Sequence, residues 1–415
     1  MMIHDTSLDQ LSPRPANSAP RVVLYSHDTL GFGHLRRNLL LARALKSLPC
    51  PPDVLLIAGM HEAGAFDIPD GVDLITLPAY AKQSDGSYRS RKLSIDLRHL
   101  ADMRARMIHA AVKGFRPDLM IVDNVPRGAQ GELEPILSWL ARKRDARVVL
   151  GLRDVIDTRD KVRRQWLRQR NFEAISAYYS DIWIYGDPNF YNLIDEYQLG
   201  DLINAKARFT GYLQRDIAPV AAQAEASQRQ VIGDDDQPYV LCTVGGGRDG
   251  VPLCRAFLQA RLPDGHRGIL ITGTQLDAQS RADIAQLAKS HPEVSVVDFL
   301  SEPIGLMQNA ARIIAMGGYN TICEVLSLRR PALIVPRVTP RREQILRAEP
   351  LAARGLIDMI APDDMTPAAL TRWMARETTA GAVAGRLDLK GLSRFKDFAA
   401  QALTPAKAQT GPLAA

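Results

Sequence analysis

Short apolar, β-rich runs recur along this chain, each followed by a polar or glycine-bearing turn and then a stretch of helical periodicity, and this alternation limits the folds open to it. The candidate strands of the first half are Val22 to Tyr25, Val54 to Ile57, Val72 to Leu77, Leu119 to Val122, Val148 to Leu152 and Ile182 to Tyr185. A second series follows at Tyr239 to Val244, Gly268 to Thr272, Val294 to Val297, Arg312 to Ala315, Ala332 to Val335 and Ile357 to Ile360. Strands joined through helices pair in parallel, because the crossover returns the chain to the same end of the sheet. Between the two series, Leu213 to Pro238 loses periodicity and is rich in Ala, Gln and Asp, which marks a linker. The predicted fold is therefore α/β: two Rossmann-like doubly wound domains, residues 21–213 and 239–404, joined by a linker at 214–238 and facing an interdomain cleft. Residues 1–20 are expected to form a disordered tail and residues 405–415 a frayed one. In open α/β sheets ligands sit beyond the carboxyl ends of strands, so the chemistry belongs in the loops that follow them.

At 415 residues, with 46% hydrophobic and 24% charged side chains, each domain has the material for its own core, which excludes a disordered, collagenous or disulfide-framework chain. The net charge of +6 is a mild bias toward phosphate-bearing ligands or anionic surfaces. The basic stretch from Arg142 to Arg170, with Trp166 inside it and Phe172 close by, fits charged helix faces over a core, so no nucleic-acid partner is expected. Cys50, Cys242, Cys254 and Cys323 form no CxxC pair and have no His at zinc spacing; they read as reduced, mostly buried thiols, which suits a cytoplasmic location. The N-terminus lacks an apolar h-region and no stretch reaches about 18 consecutive apolar residues, so any membrane contact is expected to be peripheral, on the inner face.

Three strand-to-helix loops stand out. The first, Ser26 to His34, carries Gly31 and Gly33, and its backbone N–H groups suit an anion or a closely approaching substrate. A GxGxxG dinucleotide fingerprint would need glycine at position 36, where Arg36 stands, and the chain has no GxxxxGK[ST]. His34 reads either as a packing or capping residue or as a cleft-facing imidazole acting as base or ligand. The second loop is Gly245-Gly246-Gly247-Arg248; three successive glycines cost more than a plain turn needs and favour close approach of a ligand, with Arg248 a cation beside it or facing solvent.

The third loop runs from Met316 through Gly317, Gly318, Tyr319, Asn320 and Thr321 to Glu324. A helix start here offers free N–H groups and a positive dipole to a phosphate. Glu324, one turn further in, either closes a capping box with Thr321 or accepts from sugar hydroxyls. In the first domain Arg153 and Asp154 end a strand, where an adjacent cation and carboxylate are expected to orient an acceptor or pair with His34; Asp28 is the alternative partner. Asp123 to Gly128 and Gly186-Asp187 take the default reading of polar turns.

Taken in order, Gly31-Phe32-Gly33-His34, Gly245-Gly246-Gly247, Gly317-Gly318 through Glu324, and Pro336 through Gln344 with Leu351 and Gly355 beyond resemble the GT-B glycosyltransferases of family 28. The resemblance is to the bacterial peptidoglycan N-acetylglucosaminyltransferases and the plant monogalactosyldiacylglycerol synthases of that family, and the second domain carries most of its specificity. The resemblance implies a GT-B architecture, a nucleotide-sugar donor, UDP-linked, on the second domain, and an acceptor bound largely by the first. It further implies that Glu324 holds the donor ribose hydroxyls, that the turn with Gly317, Gly318, Asn320 and Thr321 meets the diphosphate, that Gln344 contacts the donor sugar, and that Phe299 and Leu300 cradle the uracil ring. His34 matches the family histidine near the reacting groups. Gly247 stands where the family often has Ser, and Arg341-Arg342-Glu343 departs from the acidic residue often found beside the Gln.

The chemistry so implied is an inverting transfer of a hexosyl group to an acceptor hydroxyl, lipid-linked in several relatives, within glycolipid, cell-envelope or polysaccharide biosynthesis. His34 would be the base, with Asp154 or Asp28 behind it. Backbone N–H groups and a helix N-terminus would meet the leaving diphosphate, so no essential metal or other cofactor is expected. Asp234-Asp235-Asp236 contains a DxD pattern, but its place in the linker before Pro238 reads as a solvated turn. A UDP-sugar epimerase of the same layout and a catalytically silent nucleotide-sugar-binding protein are the alternatives at this point.

Overall fold

Among the described residues, nine strands lie in the first series: β1 (Arg21–Ser26), β2 (Asp53–Ala58), β3 (Val72–Thr76), β4 (Tyr80–Lys82), β5 (Tyr88–Ser90), β6 (Leu119–Asp123), β7 (Arg147–Arg153), β8 (Asp181–Tyr185) and β9 (Ala207–Phe209). Six more lie in the second: β10 (Tyr239–Thr243), β11 (Arg267–Ile271), β12 (Val294–Val297), β13 (Arg312–Ala315), β14 (Ala332–Ile334) and β15 (Asp358–Met359). These come from a computed structural model that describes residues 18–404 apart from 29–30, 83–86, 216–217, 219–220, 234–235, 248 and 378–384. Arg248, Asp234-Asp235, most of the expected N-terminal tail and the C-terminal tail therefore lie outside the described residues.

The first sheet runs β3-β2-β1-β6-β7-β8-β9 and the second β12-β11-β10-β13-β14-β15, all neighbours parallel, while β4 and β5 form a separate antiparallel hairpin. Helices cover both faces of each sheet, which is why the strands read as unbroken apolar runs and not as alternating ones. Val22 and Leu24 of β1 enter one core while Val23 and Tyr25 enter the other. The Val22 and Leu24 core does not stop at the domain boundary: it continues through Tyr212 and Tyr319 to Leu241, Ile269 and Ile313 on one face of the second sheet.

Two boundary expectations change. Part of the expected linker is the helix Ala221–Ile232, which packs on the helix Ile304–Asn309 so closely that a Cβ on Gly305 would lie 2.7 Å from the Ala224 carbonyl oxygen. The last helix, Gly391–Leu403, belongs to 239–404 in sequence but packs on the first domain. Phe395 and Phe398 meet Trp183 at 5.6 and 5.8 Å, and Arg394 donates to the Thr210 carbonyl at 2.8 Å. An amphipathic stripe records that a helix is covered, not which sheet covers it. The short strands β4, β5 and β9 carry too few residues to show a period.

One ion pair joins the domains at their centre. Arg347, from the helix Glu343–Ala353, reaches Asp154 just past β7 with Nε and Nη2 at 2.7 to 3.1 Å, and neither side chain is exposed. Tyr212 donates its hydroxyl to Asp154 Oδ2 at 2.7 Å and stacks on Tyr319 with ring centroids 6.0 Å apart. Asp154 is thus consumed by the domain interface and is not the partner of His34. Removing one member of a buried pair strands the other charge, so Arg347→Met is expected to cost about 3–5 kcal/mol in urea unfolding, and Asp154→Leu added to it should recover much of the loss.

Candidate active site

Strand order reverses beside β1 in the first sheet and beside β10 in the second, so the crevices of the two domains open at the carboxyl ends of β1 and β6 and of β10 and β13. All three glycine loops, and one carboxylate, sit at these ends. The loop after β1 leads through Gly31 to Gly33 and His34 at the start of the helix Gly33–Lys46. Gly245 to Gly247 follow β10, Gly317 and Gly318 follow β13, and Asp123 ends β6.

The loops meet across the cleft. A Cβ built on Gly246 would stand 3.4 Å from Gly31 Cα, and Asn320 donates from Nδ2 to the Gly33 carbonyl at 2.9 Å. Gly31, Gly245 and Gly247 have φ of +81, +66 and +94, and Gly247 also lies against the Thr272 carbonyl, where a Cβ would approach to 2.2 Å. Only glycine satisfies both constraints at 247, which accounts for the absence of a Ser there.

His34 pairs through Nδ1 with Asp123 Oδ2 at 2.6 Å, while Arg37, one turn on, clamps both oxygens of that carboxylate at 2.6 to 3.1 Å. Burial pushes the Asp123 carboxyl up, but Arg37 and then His34 outweigh it and hold the group well below the usual carboxylate range. A carboxylate fixed as an anion holds Nδ1 protonated and leaves Nε2 as the basic nitrogen. Asp28, the other expected partner, instead accepts from Ser26 Oγ, from the Leu35 backbone N–H at 3.0 Å and from that of Gly59 at 3.4 Å, which anchors the helix start. His27 lies 4.5 Å from His34 between ring centroids, and burial, then the His34 charge, depresses its basicity well below the ordinary imidazole value.

On the opposite wall, the helix Tyr319–Leu328 starts from Gly318 without a side-chain cap, so Thr321 and Glu324 do not form the capping box their spacing allows. Glu324 is buried and meets Arg36 of the first domain at 2.6 Å, with Arg215 Nε 3.7 Å away; Arg215 in turn clamps Glu302 at 2.6 and 2.7 Å. These side chains line adjoining crevices with Leu40, Asn320 and Ser301. Phe299 packs with Phe32 at 5.6 Å and Phe66 at 5.5 Å, an aromatic cluster that spans the cleft, and Leu300 is buried beneath it. Gln344 is buried, accepts from the Arg337 backbone N–H at 3.0 Å, and packs against Gly317, whose Cβ would lie 3.3 Å from that of Gln344. The side chain of Arg153, at the end of β7, makes no hydrogen bond or ion pair with another described residue, and its Nε is buried without a partner.

The structure therefore gathers His34, Gly31, Gly33, Gly246, Asn320 and Glu324 at one cleft, ties Asp154 to Arg347 and Tyr212 and not to His34, and adds Asp123, Arg36, Arg37, Arg215 and Glu302. Asp123 carried a usable signal, a carboxylate closing an apolar strand. The arginines carried none, since an Arg is ordinarily a solvated residue. Among the described residues, no group of three or more His, Cys, Asp or Glu is placed to hold a metal, and no helix is long and apolar enough to cross a membrane.

Residues 241–399 match the glycosyltransferase family 28 C-terminal domain. That match takes in the second sheet and the helices around it. A UDP-N-acetylglucosamine–N-acetylmuramyl-(pentapeptide) pyrophosphoryl-undecaprenol N-acetylglucosamine transferase from Paenarthrobacter aurescens is 28% identical over 159 residues, 38% of this chain and 41% of that protein. The chain thus spans less than half the length of this curated relative. In solved structures the two-domain arrangement extends over nearly the whole chain. The glycotransferase of kitacinnamycin superposes with a TM-score of 0.57 at 17% identity, covering 94% of this chain and 100% of that one. UDP-GlcNAc 2-epimerase from Methanocaldococcus jannaschii gives 0.56 at 12%, covering 92% and 99%. These likenesses establish the GT-B-like α/β fold, in which the second domain, similar to the family 28 C-terminal domain, contributes the Gly245 to Gly247 and Gly317 to Glu324 wall and the first domain contributes His34 and Asp123.

Because Asp123 is held below its unfolded value, its contribution to stability is present above about pH 4 and is lost as the pH falls through the folded value. Asp123→Asn should therefore unfold more readily than the wild type at pH 7, and the gap should narrow only below about pH 4, as followed by circular dichroism in urea across that range.

Proposed function

We propose that the protein is a glycosyltransferase that moves a hexosyl group from a UDP-sugar to an acceptor hydroxyl by one inverting displacement. The observation that carries this reading is the His34–Asp123 pair of the first domain standing across a narrow cleft from the glycine loops and Glu324 of the family 28 domain. The donor lies on that domain. Glu324 takes the ribose hydroxyls, the Gly317 to Thr321 turn and the following helix N-terminus take the diphosphate, Gln344 meets the sugar, and Phe299 with Leu300 flank the base. His34 Nε2 removes the acceptor proton as the oxygen attacks the anomeric carbon, and Asp123 stabilises the imidazolium that forms. The curated relative names an undecaprenol-linked acceptor; a lipid-linked hydroxyl in cell-envelope biosynthesis, reached from the cytoplasmic side by peripheral contact, is the acceptor class we assign here.

The glycine N–H groups and the helix dipole stabilise the departing diphosphate in this scheme, in the role a divalent ion plays elsewhere. EDTA should accordingly leave turnover unchanged; a metal requirement would overturn that part of the scheme.

Calorimetry with UDP tests the donor site. The wild type should bind it, and Glu324→Ala should lose at least about tenfold in affinity through its charge-assisted hydrogen bonds. No UDP binding by the folded protein would refute the assignment. With an active acceptor from a screen, His34→Ala should lower kcat by about 100 to 10,000-fold while leaving UDP affinity intact. UDP-sugar incubated without acceptor should return unchanged, whereas an epimerase would convert it.

A further inference from the structure

Two ion pairs that cross between the domains are built differently. Arg347 places Nε and Nη2 on Asp154, with Nη1 and Nη2 also on the Gly317 and Val155 carbonyls, and neither member of the pair has exposed surface. Arg36 reaches Glu324 with one nitrogen, Nη2 to Oε1 at 2.6 Å, and its side chain is 21% exposed. Opening the first pair strands two buried charges. The second is a single-point contact whose arginine already has a face in water, the kind of ion pair that holds least tightly.

Glu324 itself is only 2% exposed, and Arg36 lines the crevice that leads to it, together with Leu40 and Asn320. A carboxylate accepts from neighbouring hydroxyls only when its oxygens can be reached, so Arg36 and a ribose compete for one acceptor. Withdrawal of Arg36 would not leave the carboxylate uncompensated. Arg215 Nε lies 3.7 Å from the same oxygen, buried and without a hydrogen bond, while its Nη2 is anchored on Glu302 at 2.6 and 2.7 Å. Arg36 also has a second place to stand. It lines the adjoining crevice with Asp67 and Glu302, and the half-exposed Asp67 carboxylate meets Gln223 and Arg43 only at 3.2 and 3.3 Å.

We infer that Arg36 is an intramolecular competitor of the donor: it caps Glu324 and must swing toward Asp67 before the ribose hydroxyls of a nucleotide can take its place. The inference rests on the glycosyltransferase reading, which gives Glu324 to the ribose, and adds to it a first-domain residue that sets donor affinity. Only the fraction of molecules in which the Arg36 contact is open is competent to bind, so apparent affinity is lowered by that fraction. Entry of a donor and release of one cross-domain contact are then the same event.

Uridine is the probe, because it carries the ribose without the phosphates, whose attraction to a nearby arginine would mask the effect. In calorimetric titration Arg36→Met should bind uridine about threefold to fivefold more tightly than the wild type, the weight of a partly exposed ion pair that no longer has to open. Arg36→Gln should gain affinity in the same direction, and keeps the test open should Arg36→Met fail to fold. Uridine affinity that is unchanged or weaker in the folded variants, beside normal UDP binding by the wild type, overturns the competitor role and leaves the glycosyltransferase reading standing. If the wild type and both variants bind neither uridine nor UDP, the two readings fall together. Nucleoside binding that emerges only in the variants supports both.

Discussion

The cleft exists in its observed form because Arg347 and Asp154 meet inside it. The apolar contact between the domains is non-directional and would tolerate many relative orientations. A guanidinium and a carboxylate with no exposed surface are different: their desolvation is offset only when nearly every donor and acceptor is used. Here Nε and Nη2 of Arg347 reach both oxygens of Asp154, Nη1 donates to the Gly317 carbonyl, and Tyr212 supplies a further donor. Those bonds tie the end of β7, the interdomain strand of chain at Tyr212 and the glycine turn after β13 to a single point. Tyr319, with Arg37 and Arg347 each 5.6 Å from its ring and Tyr212 stacked on it, fills the space around the pair.

From that point outward the cleft is organised by charge. Asp123, Asp154, Glu302 and Glu324 are each claimed by an arginine, and two of the pairings, Arg36 with Glu324 and Arg347 with Asp154, cross between domains. On the glycosyltransferase reading this has a mechanical consequence. Glu324 can hold a ribose only by exchanging Arg36 for it, so donor binding and the loosening of one interdomain contact become a single equilibrium. The aromatic contact of Phe299 with Phe32 and Phe66 and the Asn320 bond to Gly33 sit along the same seam. A modest overall charge of +6 conceals this local concentration of cations, because charge balance over a whole chain says little about a cleft.

The positions legible in the sequence share one property: their signal is local. Val22 to Tyr25 and Val148 to Leu152 read as strands because both sheet faces are covered and no polar residue interrupts them. Gly31, Gly245 and Gly247 read as special because positive φ and close backbone approach admit little else. Glu324 was legible as a carboxylate one turn past the Gly317-Gly318 turn, with a capping and a ligand-binding reading both open, and the uncapped helix start removes the first of these. The helix Gly391–Leu403 was legible as a helix but assigned to the wrong domain, since its apolar stripe fits either sheet.

The sequence by itself determined the α/β class, the division into two strand series and the loops in which chemistry is concentrated, because periodicity and glycine placement follow from backbone geometry over a few residues. Which carboxylate serves His34 was decided only by the tertiary structure. Asp154 and Asp123 both end strands and look alike in sequence, yet one is 193 residues from its arginine and the other 89 residues from its histidine. Pairings over such separations are set by strand order and by the need to compensate each buried charge, and neither leaves a trace in the neighbouring residues.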